Sequence, residues 1–397
     1  MGDTDDRRRR RVRAGDARRE RVDATDPGPG AGAGAARTVL RLVAAGLVFA
    51  LFPSAAGAEE PAPATDAATV DPATGDEIAP LPGGDGSAAA AAAAAAGTIE
   101  VSGHGFGHGR GMGQYGALGY SLAPFNWSSD RILQHYYSNT TAGNVGNGLI
   151  DVVLSEPGST RPEGMTQPTI LRLDRGTPRV SFSGTAPFPA SAQAVRIGRT
   201  ANGFFQISFG ATCSGPWAPF LPAGPTERVV VQPAVVSDDP ADMLQVCDGA
   251  MTGGNAADRR WVRGDVHAVS SSTRQYTVNR VVLDSYLRGV VPRESPASWP
   301  AAALQAQSVA ARSYALADAQ SRRGFYPWAA TCDTVSCQVY GGRQQQRGGS
   351  ITGEVASTDN AIFATSGRVR LLNNAVARTE FSSSTGGWSA GGTFPAV

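Results

Sequence analysis

Lysine is absent from this chain. All 35 basic residues among the 397 are arginines, set against 34 aspartates and glutamates. Any positive charge on a side chain at neutral pH is therefore a guanidinium. No excess of basic charge remains once the front of the chain is set aside: residues 59–397 hold 24 arginines and 27 acidic residues. Nucleic-acid binding feeds on basic patches, so a weakly acidic body speaks against a nucleic-acid partner. Long hydrophobic runs are missing too. The apolar run Leu42 to Phe52 is too short for an ordinary membrane span. It follows Arg37 and Arg41 and precedes Ala56-Gly57-Ala58, an A-x-A cleavage site. Residues 1–58 thus read as a secretory signal peptide with a long basic front, and the protein is expected to be exported. An uncleaved anchor is the rival reading and would be the only membrane attachment.

Cysteine is sparse. Cys213, Cys247, Cys332 and Cys337 are the full set. In an exported chain disulfides are the default, most simply Cys213–Cys247 and Cys332–Cys337, although four cysteines allow three pairings. The Cys-x4-Cys spacing of TCDTVSC is also a loose match to a zinc site, with no histidine inside it.

Composition divides the rest. Residues 59–97 are rich in Ala, Pro and Asp and end in nine alanines, a spacer that builds no core. Residues 98–147 form a Gly/His-rich module. In it Ser128 or Ser129 caps a helix that clusters Ile132, Leu133, Tyr136 and Tyr137. Residues 148–259 read as a β-rich insert of short strands, among them LIDVVLSE and ERVVVQPAVV. Residues 260–397 add the strand-like YTVNRVVLDSYL and a long helix over 296–321, with small and apolar residues at Ala303, Ala306, Ala310, Tyr314 and Ala317. Strand-like runs return at AIFATSG, RVRLLNN and ARTEFSSST. With no βαβ alternation, the class is α+β: a β-rich domain with mixed and antiparallel sheets and a helical subdomain that carries the catalytic helix.

Two segments invite chemistry. SGHGFGHGRGMGQYG places glycines at 103, 105, 107, 109, 111 and 113, which lets the backbone approach another surface closely. His104 and His108 are spaced like a metal pair, but no carboxylate or cysteine nearby completes it. GMGQYG satisfies G-x-G-x-x-G without the strand a dinucleotide site requires. The bland reading is a structural loop whose Met112 and Tyr115 plug the core; the expectation is a tight surface for sugar contact that uses His104, His108, Gln114 and Tyr115. No cofactor or metal is expected.

The second segment is VVPRESPASWP. Pro292 and Pro296 restrict the backbone of Glu294, and Trp299 follows. A carboxyl group packed on apolar surface stays protonated and can act as a general acid, although a helix N-terminus just beyond would favour the anion. On the following helix Gln305, Ser308 and Arg312 share a face, either as sugar-binding groups or as a polar stripe turned to solvent.

Taken together, these pieces resemble the stage II sporulation protein D / amidase-enhancer family of bacterial cell-wall proteins. The resemblance runs through VNRVVLDSYLRGVVPRESPASWPAAALQAQSVAARSYALA, CDTVSCQVYGG and EFSSSTGGW. GHGFGHGRGMGQYGALGY and ILQHYYSNT look like that family's closing segment, here placed ahead of the rest. This implies a cleft shared by the two ends of the chain. The resemblance implies an exported, wall-located lytic transglycosylase that acts on peptidoglycan glycan strands. Glu294 would be its acid/base, and Arg312, Gln305, Ser308, Ser382, Ser383 and Ser384 would contact sugar. The alternative is a non-catalytic glycan-binding module that enhances a cell-wall amidase. Three departures stand out: Gln305 replaces a usual lysine, Ser295 a common methionine, and Ser336 a frequent histidine. Family members also run on past SSSTGGW, so the domain is expected to be cut short at Val397 or completed by the front module.

Overall fold

The computed structural model describes residues 104–154, 168–182, 185–200, 203–220, 228–252, 254–271, 274–322, 328 and 330–397. The expected signal peptide, the spacer and residues 98–103 of the Gly/His module lie outside the described residues.

Two large sheets carry the body. The seven-stranded one runs in the order Thr331–Cys332, Leu149–Leu154, Arg274–Val282, Asp265–Ser271, Arg228–Gln232, Arg179–Phe182, Phe188–Pro189. Its neighbours are antiparallel except for the parallel pairing of Thr331–Cys332 on Leu149–Leu154. The eight-stranded sheet joins Thr169–Arg172, Ala194–Arg199, Phe205–Gly210 and Leu244–Val246 to Arg259–Val262 and the Gln344–Arg347 hairpin. Both sheets therefore interleave strands from either side of residue 260.

Alternation is the local cause of these strands. In Arg228–Gln232, Val229 and Val231 are fully buried while Arg228, Val230 and Gln232 point outward, the period of two of a half-buried strand. Inward residues of both sheets, such as Val180, Val229 and Val266 with Leu171, Ile197 and Phe205, merge into one core. Cys213 is disulfide-bonded to Cys247, and Cys332 to Cys337, as expected from the spacing.

Six α-helices occur among the described residues: α1 Gln114–Ser121, α2 Ser129–Tyr136, α3 Asp248–Thr252, α4 Leu283–Glu294, α5 Ala301–Arg322 and α6 Ala356–Ala364. Ser128 caps α2, its hydroxyl accepting from the Arg131 N–H at 3.3 Å, and Ile132, Leu133, Tyr136 and Tyr137 are buried as a group. Helix α5 is the hub. Its small residues Ala303, Ala306 and Ala310 are buried, so α1, α2, α4 and α6 all pack closely on it. The structure is α+β, with the helices gathered beside the β body.

Two expected strands end differently. The run YTVNRVVLDSYL is a strand only to Val282 and turns into α4 at Leu283. AIFATSG is not a strand: its first four residues close α6, and Ile362 is fully buried in the main core. Packing against α4 and α5 decides this, because an Ala-rich segment with two apolar residues carries little β preference of its own. No described helix is long and apolar enough to cross a membrane.

Candidate functional site

Glu294 is the last residue of α4 and keeps 7% of its surface exposed. This corrects the expected helix-mouth position: α5 starts only at Ala301, so Glu294 sits at a C-terminal helix end. Partial negative charge collects at such a helix end. Pro292 lies inside the last turn of α4, and the Ser295 N–H closes it on the Val291 carbonyl at 3.0 Å. The Glu294 carboxylate oxygen Oε1 accepts from the backbone N–H of Val339 at 2.9 Å, and its carbonyl accepts from Gln114 Nε2 at 2.6 Å. Trp299 packs its ring edge-to-face on Tyr115, at 5.2 Å between centroids, and is not part of the wall around the carboxyl.

The carboxyl opens onto a cavity of about 350 Å³. One wall is the disulfide-closed turn, through Val335, Ser336, Cys337 and Val339. A second is Arg378 and Glu380 to Ser383, with Tyr314 of α5 beneath. The Gly/His loop supplies the third, with Phe106, Gly107, His108, Arg110 and Gln114.

The last two walls are stitched together through their backbones. Strand Met112–Gly113 pairs in parallel with Phe381–Ser382. Phe106 and Ser384 exchange both backbone hydrogen bonds, at 2.8 and 3.1 Å, and Tyr115 N–H donates to the Ser383 carbonyl at 3.0 Å. Glycine makes this possible. Gly105 and Gly111 sit at φ +91° and +68°, and a Cβ on Gly111 would lie 2.0 Å from the Glu380 carbonyl oxygen. The two ends of the described chain thus form one cleft.

Electrostatically the cleft holds a second carboxylate. Glu380 is buried and paired with Arg110, at 3.1 Å, and with Arg378. Arg378 also donates to the Tyr314 hydroxyl at 2.7 Å and lies over that ring, 4.5 Å from its centroid. His108 accepts the Arg110 backbone N–H on Nδ1 at 3.0 Å. Burial, then the Arg110 charge, hold its imidazole below the usual histidine range and so neutral at pH 7. The Ser382 hydroxyl is buried in the wall with no hydrogen-bond partner among the described residues. Together these groups set a nearly enclosed carboxyl, a neutral imidazole, a buried hydroxyl and two guanidiniums around a cavity of about 350 Å³.

The structure brings Glu294, Gln114, His108, Ser382 and Ser383 to this cavity. His104 packs beside Gly386, and Ser384 contributes its backbone; neither lines the cavity. The other helix residues are corrected. Arg312 is fully buried, bonded to Asp284 at 3.0 Å and to the carbonyls of Arg368 and Ile362. Ser308 donates back to the Leu304 carbonyl at 2.7 Å, and Gln305 accepts from Ser129 of α2 at 3.3 Å. Their shared face turns into the protein, while Tyr314, two residues and about 200° beyond Arg312, faces the cavity. The residues missed were Arg110, Tyr314, Arg378 and Glu380. The first lies in the Gly/His string, and the ART-Glu run just ahead of the serines held the last two in plain view.

Fold and site define an α+β protein with a helix-terminal glutamate opening onto a cleft of mixed polar and apolar lining. Residues 271–371, about a quarter of the chain, match the family model SpoIID, Stage II sporulation protein, which supports the resemblance to the stage II sporulation protein D / amidase-enhancer family. A protein of Bacillus subtilis named Amidase enhancer is 35% identical over 103 residues, 26% of this chain and 12% of that protein. An uncharacterized protein of Brachyspira hyodysenteriae is 28% identical over 124 residues, 31% of each chain. The chain thus spans under a third of either relative's length. No solved structure matches it.

Proposed function

We propose that the protein is an exported peptidoglycan lytic transglycosylase of the bacterial cell wall, with Glu294 as its acid and base. The observation that carries this reading is the Glu294 carboxyl, almost enclosed, oriented by the Val339 N–H, and open to a cavity of about 350 Å³. Protonated, it gives its proton to the glycosidic oxygen as the bond to the muramic acid C1 breaks. The C6 hydroxyl of the same muramic acid attacks the oxocarbenium-like C1, and the Glu294 carboxylate takes the hydroxyl proton. The products are a free 4-hydroxyl on one strand and a 1,6-anhydromuramyl end on the other. No water is activated, so no second free carboxylate is required. Glu380 suits this scheme, because its carboxylate is engaged by two arginine partners. The Ser382 hydroxyl, which has no hydrogen-bond partner among the described residues, supports the reading as a donor to a sugar oxygen.

The match to the amidase enhancer supports a second reading, a non-catalytic glycan-binding module that recruits or stimulates a cell-wall amidase. Digestion of peptide-stripped glycan strands by the purified chain and by Glu294→Gln separates the two. Anhydromuramyl-ended products that fall about 100-fold or more in the variant, in the range general acid catalysis supplies, support the transglycosylase. Intact strands that both proteins pull down equally overturn it in favour of the binding module.

A further inference from the structure

The Val339 N–H that holds the Glu294 carboxyl is itself aimed from behind. It belongs to the planar peptide joining Gln338 to Val339, so the setting of Gln338 fixes its direction. Cys337 and Val339 line the cavity, whereas Gln338 between them does not. Gln338 is turned into the protein and is 1% exposed.

There both ends of its amide are clamped. Oε1 accepts from the Tyr286 hydroxyl at 3.0 Å, and Nε2 donates to the Ala311 carbonyl at 3.3 Å. Tyr286 is fully buried on α4, the helix that ends in Glu294, and Ala311 lies on α5. Burial holds the Tyr286 hydroxyl well above the usual tyrosine range, so it stays a donor at neutral pH. A hydroxyl on one side and a carbonyl on the other require an acceptor and a donor on one terminal group, which an amide supplies. The disulfide anchors the turn at Cys337, and the Tyr340 hydroxyl anchors it again on Asn279 Oδ1 at 2.8 Å. Gln338 sets the peptide between these two anchors.

Resting on the reading that Glu294 is the acid and base, we propose that Gln338 is a positioning residue for the reaction. Its amide, held between Tyr286 and the Ala311 carbonyl, aims the Val339 N–H and through it the Glu294 carboxyl. It touches no sugar, so its loss leaves substrate binding in place and misdirects the proton.

The test compares the native chain with Gln338→Met, which keeps the length of the side chain and loses both bonds, and with Tyr286→Phe, which loses one. On peptide-stripped strands Gln338→Met is expected to lower kcat about 10- to 100-fold, the size of a small misplacement of a reacting group, with KM within about twofold. Tyr286→Phe is expected to lower kcat about fivefold, the size of one neutral hydrogen bond, and carries the test where Gln338→Met does not fold. The Val339 amide resonance of valine-15N-labelled protein reads the aim directly. Glu294→Gln should shift it strongly in the native background and much less in Gln338→Met or Tyr286→Phe. A native protein that cleaves, beside variants of unchanged kcat, of equally altered kcat and KM, or of an undiminished Val339 response, overturns the positioning role alone. A native protein that cleaves no strand overturns the reading of Glu294 as the acid, and the positioning role with it.

Discussion

Gln114 donates its side-chain amide to the carbonyl oxygen of Glu294 at 2.6 Å, with both residues buried. The bond joins the first residue of α1 to the last residue of α4, 180 positions away. It anchors the Gly/His loop over the carboxyl from one side, while Val339 holds the carboxyl from the other.

Removing that anchor is expected to do two things. Gln114→Ala leaves the Glu294 carbonyl buried without this partner, a loss of about 1–3 kcal/mol. Urea unfolding reads it as a lower midpoint. Glycan cleavage should fall further than the lost stability accounts for, because the loop that lines the cleft is no longer tied to α4. A midpoint equal to that of the native protein would show that the bond carries no net weight.

The two disulfides should separate in effect. Cys332–Cys337 closes the turn that presents Val339 to Glu294, and it spans only 5 positions against 34 for Cys213–Cys247. The short ring restrains the unfolded chain less. Replacing Cys332 and Cys337 by serine is expected to impair glycan cleavage with a modest fall in melting temperature. Replacing Cys213 and Cys247 should lower the melting temperature more and spare the cleft. Melting curves run alongside strand digestion check both, and a reversed order would sink the positioning role of the turn.

Arg312 is expected to behave as a strut. It joins α5 to Asp284 of α4 and to the carbonyls of Ile362 and Arg368. Arg312→Met strands a buried carboxylate, a loss of about 3–5 kcal/mol. Adding Asp284→Leu should recover part of it, which the double-mutant cycle in urea measures. A variant of native stability that fails only in glycan binding would return Arg312 to the cleft.

Arg312 also marks where sequence reasoning stops. That Gln305, Ser308 and Arg312 share a face follows from helix geometry. Which way the face turns depends on where α2, α4 and α6 dock, and a linear pattern does not carry that. Glu294 was legible because prolines frame it, but its helix was misassigned, since Pro292 completes a last turn instead of breaking the helix. The joining of the Gly/His loop to the 382–384 serines followed from the family resemblance, and the glycine spacing explains how it is built. Arg110 and Glu380 were overlooked because only their pairing across 270 positions makes either of them conspicuous.

A pH effect should arise at a residue outside the cavity lining. His267, in strand Asp265–Ser271, is 4% exposed, and its Nδ1 has no hydrogen-bond partner among the described residues. Burial first, then the charges of Arg228 and Arg280, push its imidazole down from the usual 6.5 to about 4. The folded state thus holds it neutral where the unfolded chain would protonate it. Its stabilising effect is complete above about pH 6.5 and is lost as the pH falls toward 4, a difference of roughly 3 kcal/mol. His267→Leu removes that slope and leaves the contribution of every other group in place. Urea unfolding of both proteins near pH 7 and near pH 4.5 measures it. The native protein is expected to lose more stability than the variant between the two, and parallel losses would assign the acid sensitivity to carboxylates instead.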